Sequence, residues 1–220
     1  MAMLQNLRRA DRRGLLALLA TAAFATAMPA GAQQAFDLAQ LMQTLAQVKA
    51  GEATFTETRT VAMLERTLQS SGRLSFEAPD TFVRETLKPR RERVAVAGNT
   101  VTMSIGSRSR SVPLDSVPEA AVIMEAIRGT LTGNRDAIER NFDATVTGSA
   151  QRWTLELKPR EARLRELVIS VRVSGQQALA REVAVAMADG DRSVMTIEPV
   201  SNTPANGAAG AASRPGSAPS

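Results

Sequence analysis

Along residues 70–89 apolar and polar side chains alternate, and this pattern leaves few folds open to the chain. Leu74 and Phe76 have polar neighbours on both sides, which is typical of a strand with one buried face. Pro79 interrupts this strand, because proline fixes φ and cannot donate to a β-ladder. A second extended run begins at Phe82. A sheet with a single apolar face must be covered by another layer, so we expect a sheet beneath a lid.

The first 32 residues have the three parts of a secretory signal peptide. Residues 8–13 hold four arginines, residues 14–27 are apolar, and Ala30-Gly31-Ala32 supplies small residues for cleavage. A membrane anchor is the alternative, but a spanning helix needs roughly 20 apolar residues and this run is shorter. We expect cleavage after Ala32 and a mature chain in the bacterial periplasm, exported by the general or, given Arg12-Arg13, the twin-arginine route.

The residue types that the chain lacks argue against most catalytic chemistry. Cysteine, histidine and tyrosine are absent, which removes disulfides, thiol nucleophiles, the commonest general base and the commonest metal ligand. Neither a glycine-rich phosphate loop nor a G-x-S-x-G or S-x-x-K motif occurs. Carboxylates, lysine and serine remain as alternatives for catalysis. We predict a protein that is not an enzyme and uses no metal or other cofactor.

Two amphipathic helices are predicted to supply the lid. The first covers residues 36–50, with Asp37 as its N-cap and a glycine after its end. The second begins at Pro118, where a missing N–H costs nothing, and ends at Gly133. Asn134 is the predicted cap of a short helix that follows. The apolar stripe of each long helix forms either plain core or the wall of a ligand pocket.

Strands account for most of the remaining chain. They are predicted at residues 53–60, in two runs within residues 70–89, around residues 94–96 and 101–105, and at residues 142–148, 152–158, 167–173, 181–187 and 193–198. Antiparallel strands in this number twist and curl. We predict a mostly β (α+β) fold, with a single curved antiparallel sheet forming an unclosed barrel under the helices. Its concave side is a core if the helices fill it, and an apolar pocket if they do not.

Two basic stretches, residues 88–93 and 107–111, interrupt this pattern. They are interpreted either as a docking site for an acidic partner or anionic membrane, or as solvated strand ends and turns, which we favour. No aromatic residues are interleaved for base stacking, so we expect no nucleic-acid partner. Residues 33–200 are predicted to form one domain. Residues 201–220, composed mainly of alanine, glycine, serine and proline, are a predicted disordered tail.

Four segments follow one another along the chain: residues 53–58, 72–82, 97–101 and 153–159. In this order they resemble the periplasmic outer-membrane lipoprotein carrier (LolA) family and its LolA-like relatives. Residues 53–58 resemble the family's Phe-Thr-Gln-Thr strand, and residues 72–82 its Gly-x-Leu-x-x-x-x-Pro-x-x-Phe segment. Residues 97–101 resemble its Asp-Gly-x-x-Leu turn, and residues 153–159 a later strand ending in Lys-Pro. The resemblance covers residues 36–199. The chain is similar to a divergent, LolA-like member.

This resemblance implies an apolar cavity under the lid that holds acyl chains of a lipoprotein or another lipid. The implied partners are an inner-membrane transporter or exporter and an outer-membrane acceptor, with the carrier itself a monomer. Ala78 stands where carriers have an arginine that latches the lid, and Arg84 where they have a tryptophan. A lid without that latch is expected to release its cargo more easily. A sensor of lipid or polypeptide on the same fold is the alternative function.

Strand alternation and the helix stripes indicate which residues would line such a cavity, although several of them are equally suited to an ordinary core. The expected lining is Leu41, Leu45, Phe55, Leu74, Phe76, Val94, Val96, Met103, Ile123, Ile127, Trp153 and Leu155.

Overall fold

The structure, a computed structural model, describes residues 36–64 and 66–200. The expected signal peptide, residues 1–32, and the expected disordered tail, residues 201–220, lie outside the described residues. None of the described helices has the length and apolarity needed to cross a bilayer.

Eleven antiparallel strands form one sheet in the described part of the chain. They are β1 (Ala50–Val61), β2 (Arg66–Glu77), β3 (Thr81–Lys88), β4 (Glu92–Ala97), β5 (Thr100–Ile105), β6 (Arg108–Pro113), β7 (Phe142–Ser149), β8 (Arg152–Pro159), β9 (Val168–Gln176), β10 (Leu179–Met187) and β11 (Arg192–Pro199). Their order is β6-β5-β4-β3-β2-β1-β11-β10-β9-β8-β7. Because β6 and β7 do not pair with each other, the barrel is unclosed, as the sequence predicts.

The helices connect the two edges of this sheet. They are α1 (Leu38–Leu45), α2 (Pro118–Thr132), α3 (Arg135–Asn141) and the short α4 (Ala162–Arg165), with 3-10 turns at Ala62–Leu64 and Leu114–Ser116. The chain leaves β6, passes through α2 and α3, and enters β7. Helix α2 packs on β4 and β5 near its start and on β9 further along. It therefore bridges the two halves of the sheet across one face.

The helix ends form where the sequence predicts caps. Asp37 accepts a hydrogen bond of 2.9 Å from the backbone N–H of Gln40, and Asn134 accepts one of 3.0 Å from Ala137. Gly133 ends α2 in the left-handed region, at φ 63°. A Cβ at Gly133 would come within 2.2 Å of the Met42 carbonyl oxygen, so this glycine also permits the close approach of α1 to α2.

Differences from the sequence-based expectation include α1, β6 and the short α4, and α4 has no predicted counterpart. The first helix ends at Leu45 rather than at residue 50, because Ala50 already pairs with Glu77 in the sheet. Strand β6 was not predicted, since its sequence has no apolar alternation. It is held by the backbone ladder to β5 and by a hydrogen bond of 2.8 Å between the Thr102 and Ser111 hydroxyls.

Buried residues form three groups along the concave face. The largest joins α1, α2 and α3 to β7, β8 and β9, with Trp153 and Leu155 almost fully buried. A second lies under the first turns of α2, around Val96 and Val101. The third is small and central, around Phe55 and Leu74. The helices thus pack tightly at both sides of the sheet and less completely over its centre.

Candidate functional site

A cavity of about 410 Å³ lies between the helices and the centre of the sheet. Its volume falls in the range of about 300–1,000 Å³ that is usual for small-molecule sites. The wall is mainly apolar, contributed chiefly by β1, β2, β3, β4, β10 and β11 below and by α1 and α2 above. The helices do not fill the concave side, which decides between the two cases that the sequence leaves open.

The register of the strands brings apolar cross-strand neighbours together at the cavity wall. Phe76 pairs with Phe82, which in turn pairs with Val96, and all three side chains line the cavity. On the other side of the central strands Val183 pairs with Met195, and both of these also line it. The wall is therefore one continuous face of the curved sheet.

Helix α2 supplies the opposite wall. Ile123, Ile127 and Leu131 recur at helical spacing and line the cavity. Val122 and Ala126, on a neighbouring face of the same helix, are buried against the large core group. The helix is thus anchored by one face while its adjacent stripe is left to the cavity.

One ion pair interrupts the apolar wall that the sheet forms. The Arg84 Nη2 lies 2.5 Å from the Glu57 Oε2, and the Ser70 hydroxyl donates to that same oxygen at 3.1 Å. The Arg84 side chain is 29% exposed and the Glu57 side chain 14%. The guanidinium carbon stands 4.7 Å from the centroid of the Phe55 ring, a favourable cation–π arrangement. Arg84 therefore covers Phe55 and places a polar group in the cavity wall.

A second ion pair lies towards one end of the cavity. The Asp191 carboxylate accepts hydrogen bonds from Arg59, at 2.7 Å, and from the Ala62 N–H, at 3.0 Å. These two donors hold the pKa of Asp191 below its usual range, the Arg59 hydrogen bond being the larger cause. The contact fastens the turn after β1 to the turn before β11. The cavity thus has a mainly apolar wall that also contains the first ion pair, and one end where Arg59, Asp191 and Arg192 are gathered, here called its charged end.

The structure places the twelve expected lining residues in four environments. Seven line the cavity: Leu45, Leu74, Phe76, Val94, Val96, Ile123 and Ile127. Leu41, Trp153 and Leu155 are buried in the large core group. Phe55 is buried under Arg84, and Met103 is exposed. Alternation identifies the face on which a residue lies, but what packs opposite that face depends on the path of the helices.

The expected lining residues include none from β10 or β11. Val183, Met195 and Ile197 line the cavity, and the same alternation that identified their strands could have identified them. The polar members, Glu57 and Arg84, have no such signal in the sequence, because a charged residue on a strand is usually read as facing solvent.

Together these features define a class of protein, the unclosed β half-barrel with a helical lid and an apolar internal cavity. Residues 30–215 match the family model described as outer membrane lipoprotein carrier protein LolA-like. The chain belongs to this family, as its sequence motifs predict. Membership indicates a protein that binds lipid or lipoprotein.

Matches to solved structures are remote. A LolA superfamily protein from Nitrosomonas europaea is 8% identical over 72% of this chain and 90% of that chain, with a TM-score of 0.38. A putative outer membrane lipoprotein-sorting protein domain from Vibrio parahaemolyticus is 11% identical over 78% and 94%, with a TM-score of 0.39. LprF from Mycobacterium bovis is 12% identical over 73% and 91%, with a TM-score of 0.34. The sequence matches no curated protein.

Proposed function

We propose that this chain is a periplasmic carrier that shelters acyl chains of a lipid or lipoprotein in the cavity and moves them from the inner towards the outer membrane. The proposal rests on the apolar cavity of about 410 Å³ between α2 and the sheet. Burying a methylene group is worth roughly 0.8 kcal/mol. A chain of about 14 carbons therefore gains on the order of 10 kcal/mol over exposure to water, so crossing an aqueous space requires such a shelter.

The distribution of polarity in the cavity supports one orientation of the guest. The acyl chain lies along the apolar wall between Ile123 on α2 and Met195 on β11. Its polar end lies towards Arg59 and Asp191, at the charged end of the cavity. We propose that the guest contacts the seven sequence-predicted residues that line the cavity.

Release of the guest depends on how firmly the lid is held. Ala78, at the position of the family's latching arginine, has no side-chain donor; its backbone N–H donates to the Lys49 carbonyl at 2.8 Å. The lid rests on apolar packing, such as that of Met124 near Val96, and on a hydrogen bond of 2.8 Å that Arg128 Nη2 of α2 donates to the Gly98 carbonyl oxygen. In this proposal an inner-membrane transporter or exporter loads the carrier and an outer-membrane acceptor unloads it, with no catalytic step.

Adjacent residues on β11 allow a matched test. Met195 lines the cavity, whereas Val194 points to the other face and is 42% exposed. Met195→Glu is expected to weaken binding of a fluorescent fatty-acyl probe at least about 30-fold, because a charge would be buried in an apolar wall. Val194→Glu adds the same charge outside the cavity and should leave the affinity within about twofold of the wild type.

A filling variant and a native-lipid measurement complete the test. Ile127→Trp, which adds volume without charge, should also reduce probe binding. Wild-type protein purified from a periplasm should yield stoichiometric acyl lipid in denaturing mass spectrometry of its extract. Protein that consistently contains no acyl lipid and also fails to bind acyl probes would contradict the carrier proposal.

Exchange kinetics separate a carrier from a lipid sensor on the same fold. A carrier should pass a bound acyl probe to acceptor vesicles and reload from donor vesicles. Retention of the probe in the presence of excess acceptor vesicles, with a stable complex on a membrane partner, would favour the sensor.

A further inference from the structure

We propose that one end of the sheet, here called the cationic rim, docks on an anionic lipid bilayer. The rim comprises the turns between β3 and β4 and between β5 and β6, with the strand residues beside them. The register places the two turns together, since Thr86 pairs with Glu92 across the first turn and Arg93 pairs with Ser104, which directly precedes the second. The turn after β1 lies at the same end, because Thr60 pairs with Thr67. This inference goes beyond the carrier function and is tested separately from it.

The rim carries a concentration of positive charge. Its exposed basic residues are Lys88, Arg90, Arg91, Arg93, Arg108 and Arg110. Across residues 88–93 and 107–111 the sequence has only Glu92 to offset them. Within the described part of the chain, no ion pair involves any of the six. Their charges are therefore available to an anionic surface.

Exposed apolar side chains lie among these arginines. Met103 and Ile105 are 45% and 40% exposed, and their cross-strand partners on β6 are Arg110 and Arg108. At the same end of the sheet Met63, in the turn after β1, is 90% exposed. Segments that bind at the bilayer interface combine these two properties, because the apolar groups enter the headgroup boundary while the cations meet anionic lipids.

The rim is continuous with the cavity. Met103 pairs with Val94, which lines the cavity wall, so the apolar strip runs from inside the cavity to the exposed rim. Arg59 and Arg192, at the charged end of the cavity, lie at the same end of the sheet as the rim. A bilayer held there would face that end of the cavity. An acidic protein would satisfy the arginines but would leave the exposed methionine and isoleucine side chains unexplained, so we commit to the bilayer.

Co-sedimentation with vesicles tests this proposal on the full chain. We expect binding to equimolar phosphatidylglycerol and phosphatidylcholine, weak binding to pure phosphatidylcholine, and weaker binding as salt is raised. Each basic residue near an anionic surface raises partitioning about fivefold. Arg108→Gln with Arg110→Gln is therefore expected to lower binding about 25-fold. Met103→Ser with Ile105→Ser should remove the salt-resistant part of the binding.

A control pair removes the same charge elsewhere. Lys49, directly before β1, and Arg152, on β8, are exposed and lie at the opposite end of the sheet from the rim. Lys49→Gln with Arg152→Gln should leave vesicle binding at the wild-type level. Equal loss in this control, or no binding of the wild type to anionic vesicles, would overturn the proposal.

Two parallel measurements distinguish the remaining outcomes. Binding to poly-glutamate through Arg108 and Arg110, without binding to vesicles, would assign the rim to an acidic polypeptide and overturn docking on a bilayer. The rim variants should retain the wild-type affinity for the acyl probe, because their residues do not line the cavity. A wild type that binds vesicles but no acyl probe would contradict the carrier proposal alone.

Discussion

At the scale of single residues, the ion pair of Arg84 and Glu57 distinguishes the cavity wall from an ordinary apolar core. Charged groups that leave water need a partner and further hydrogen bonds. Glu57 has both, from the Arg84 guanidinium and from the Ser70 hydroxyl. The aliphatic part of Arg84 and its position over Phe55 keep the surface partly apolar. A polar group can therefore stand in this wall without disrupting the sheet.

Asp191 makes the stability of the protein sensitive to acid. Its hydrogen bonds from Arg59 and the Ala62 N–H favour the charged form, so its pKa is lower in the folded than in the unfolded chain. The resulting stability is fully present above the ordinary aspartate pKa of about 3.9 and is lost as the pH falls through the folded pKa.

We predict that Asp191→Asn lowers the urea midpoint at pH 7, and that the difference from the wild type narrows as the pH falls below about 3.9. Urea titrations at a series of pH values check this. Asp80→Asn is the control, since no ion pair among the described residues involves Asp80. If the urea midpoints of Asp191→Asn and of the wild type fell in parallel as the pH is lowered, Asp191 would not be the source of the acid sensitivity.

At the scale of elements, the pairing of β2 with β3 depends on Gly72. The register shifts between Ser71 and Gly72, at an irregularity where β3 comes close to β2. A Cβ at Gly72 would lie 1.9 Å from the Glu85 carbonyl oxygen and 2.9 Å from the Thr86 Cα. Both are backbone atoms, so a larger residue can be accommodated only if β3 moves.

We predict that Gly72→Ala destabilises the fold by about 1–3 kcal/mol, the usual cost of overpacking. The free energy of unfolding from urea titration measures it. Gly51→Ala, on β1, is the control, because a Cβ there meets nothing within 4 Å. If Gly72→Ala were as stable as Gly51→Ala, β3 would be able to shift away from the added Cβ at little cost, and the prediction would be wrong.

At the scale of the whole molecule, the path of α2 and α3 from one edge of the sheet to the other creates the site. The helices pack firmly near β4 and β5 and against β7, β8 and β9. The central strands are spanned rather than filled, which leaves the cavity. A guest in this cavity adds contacts to both the sheet and the lid, so it should stabilise the entire fold.

We predict that an acyl ligand raises the melting temperature of the protein. At a ligand concentration of about 100 times Kd, binding to the folded state adds about 2.7 kcal/mol, which corresponds to about 5–10 °C for a domain of this size. Thermal unfolding with and without a fatty acid checks this. Met195→Glu should show no rise, and an unchanged melting temperature of the wild type would contradict a cavity that opens to acyl chains.

Local features of the sequence determined much of the fold. The alternation of Leu74 and Phe76, the break at Pro79 and the caps Asp37 and Asn134 all depend on residues close to one another in the chain, and each is found in the structure. The mostly β class follows from the number of one-faced strands, whereas the unclosed sheet was implied by the resemblance to the LolA family and depends on the two edge strands remaining unpaired.

Only the tertiary structure decided which apolar residues face the cavity. Leu41 and Leu45 share one stripe of α1, yet Leu41 is enclosed in the core while Leu45 also reaches the cavity wall. Leu155 and Leu74 alternate equally well on their strands, and only Leu74 lines the cavity. The physical reason is that periodicity specifies the direction of a side chain, whereas the atoms opposite it are set by long-range packing of α2 across the sheet.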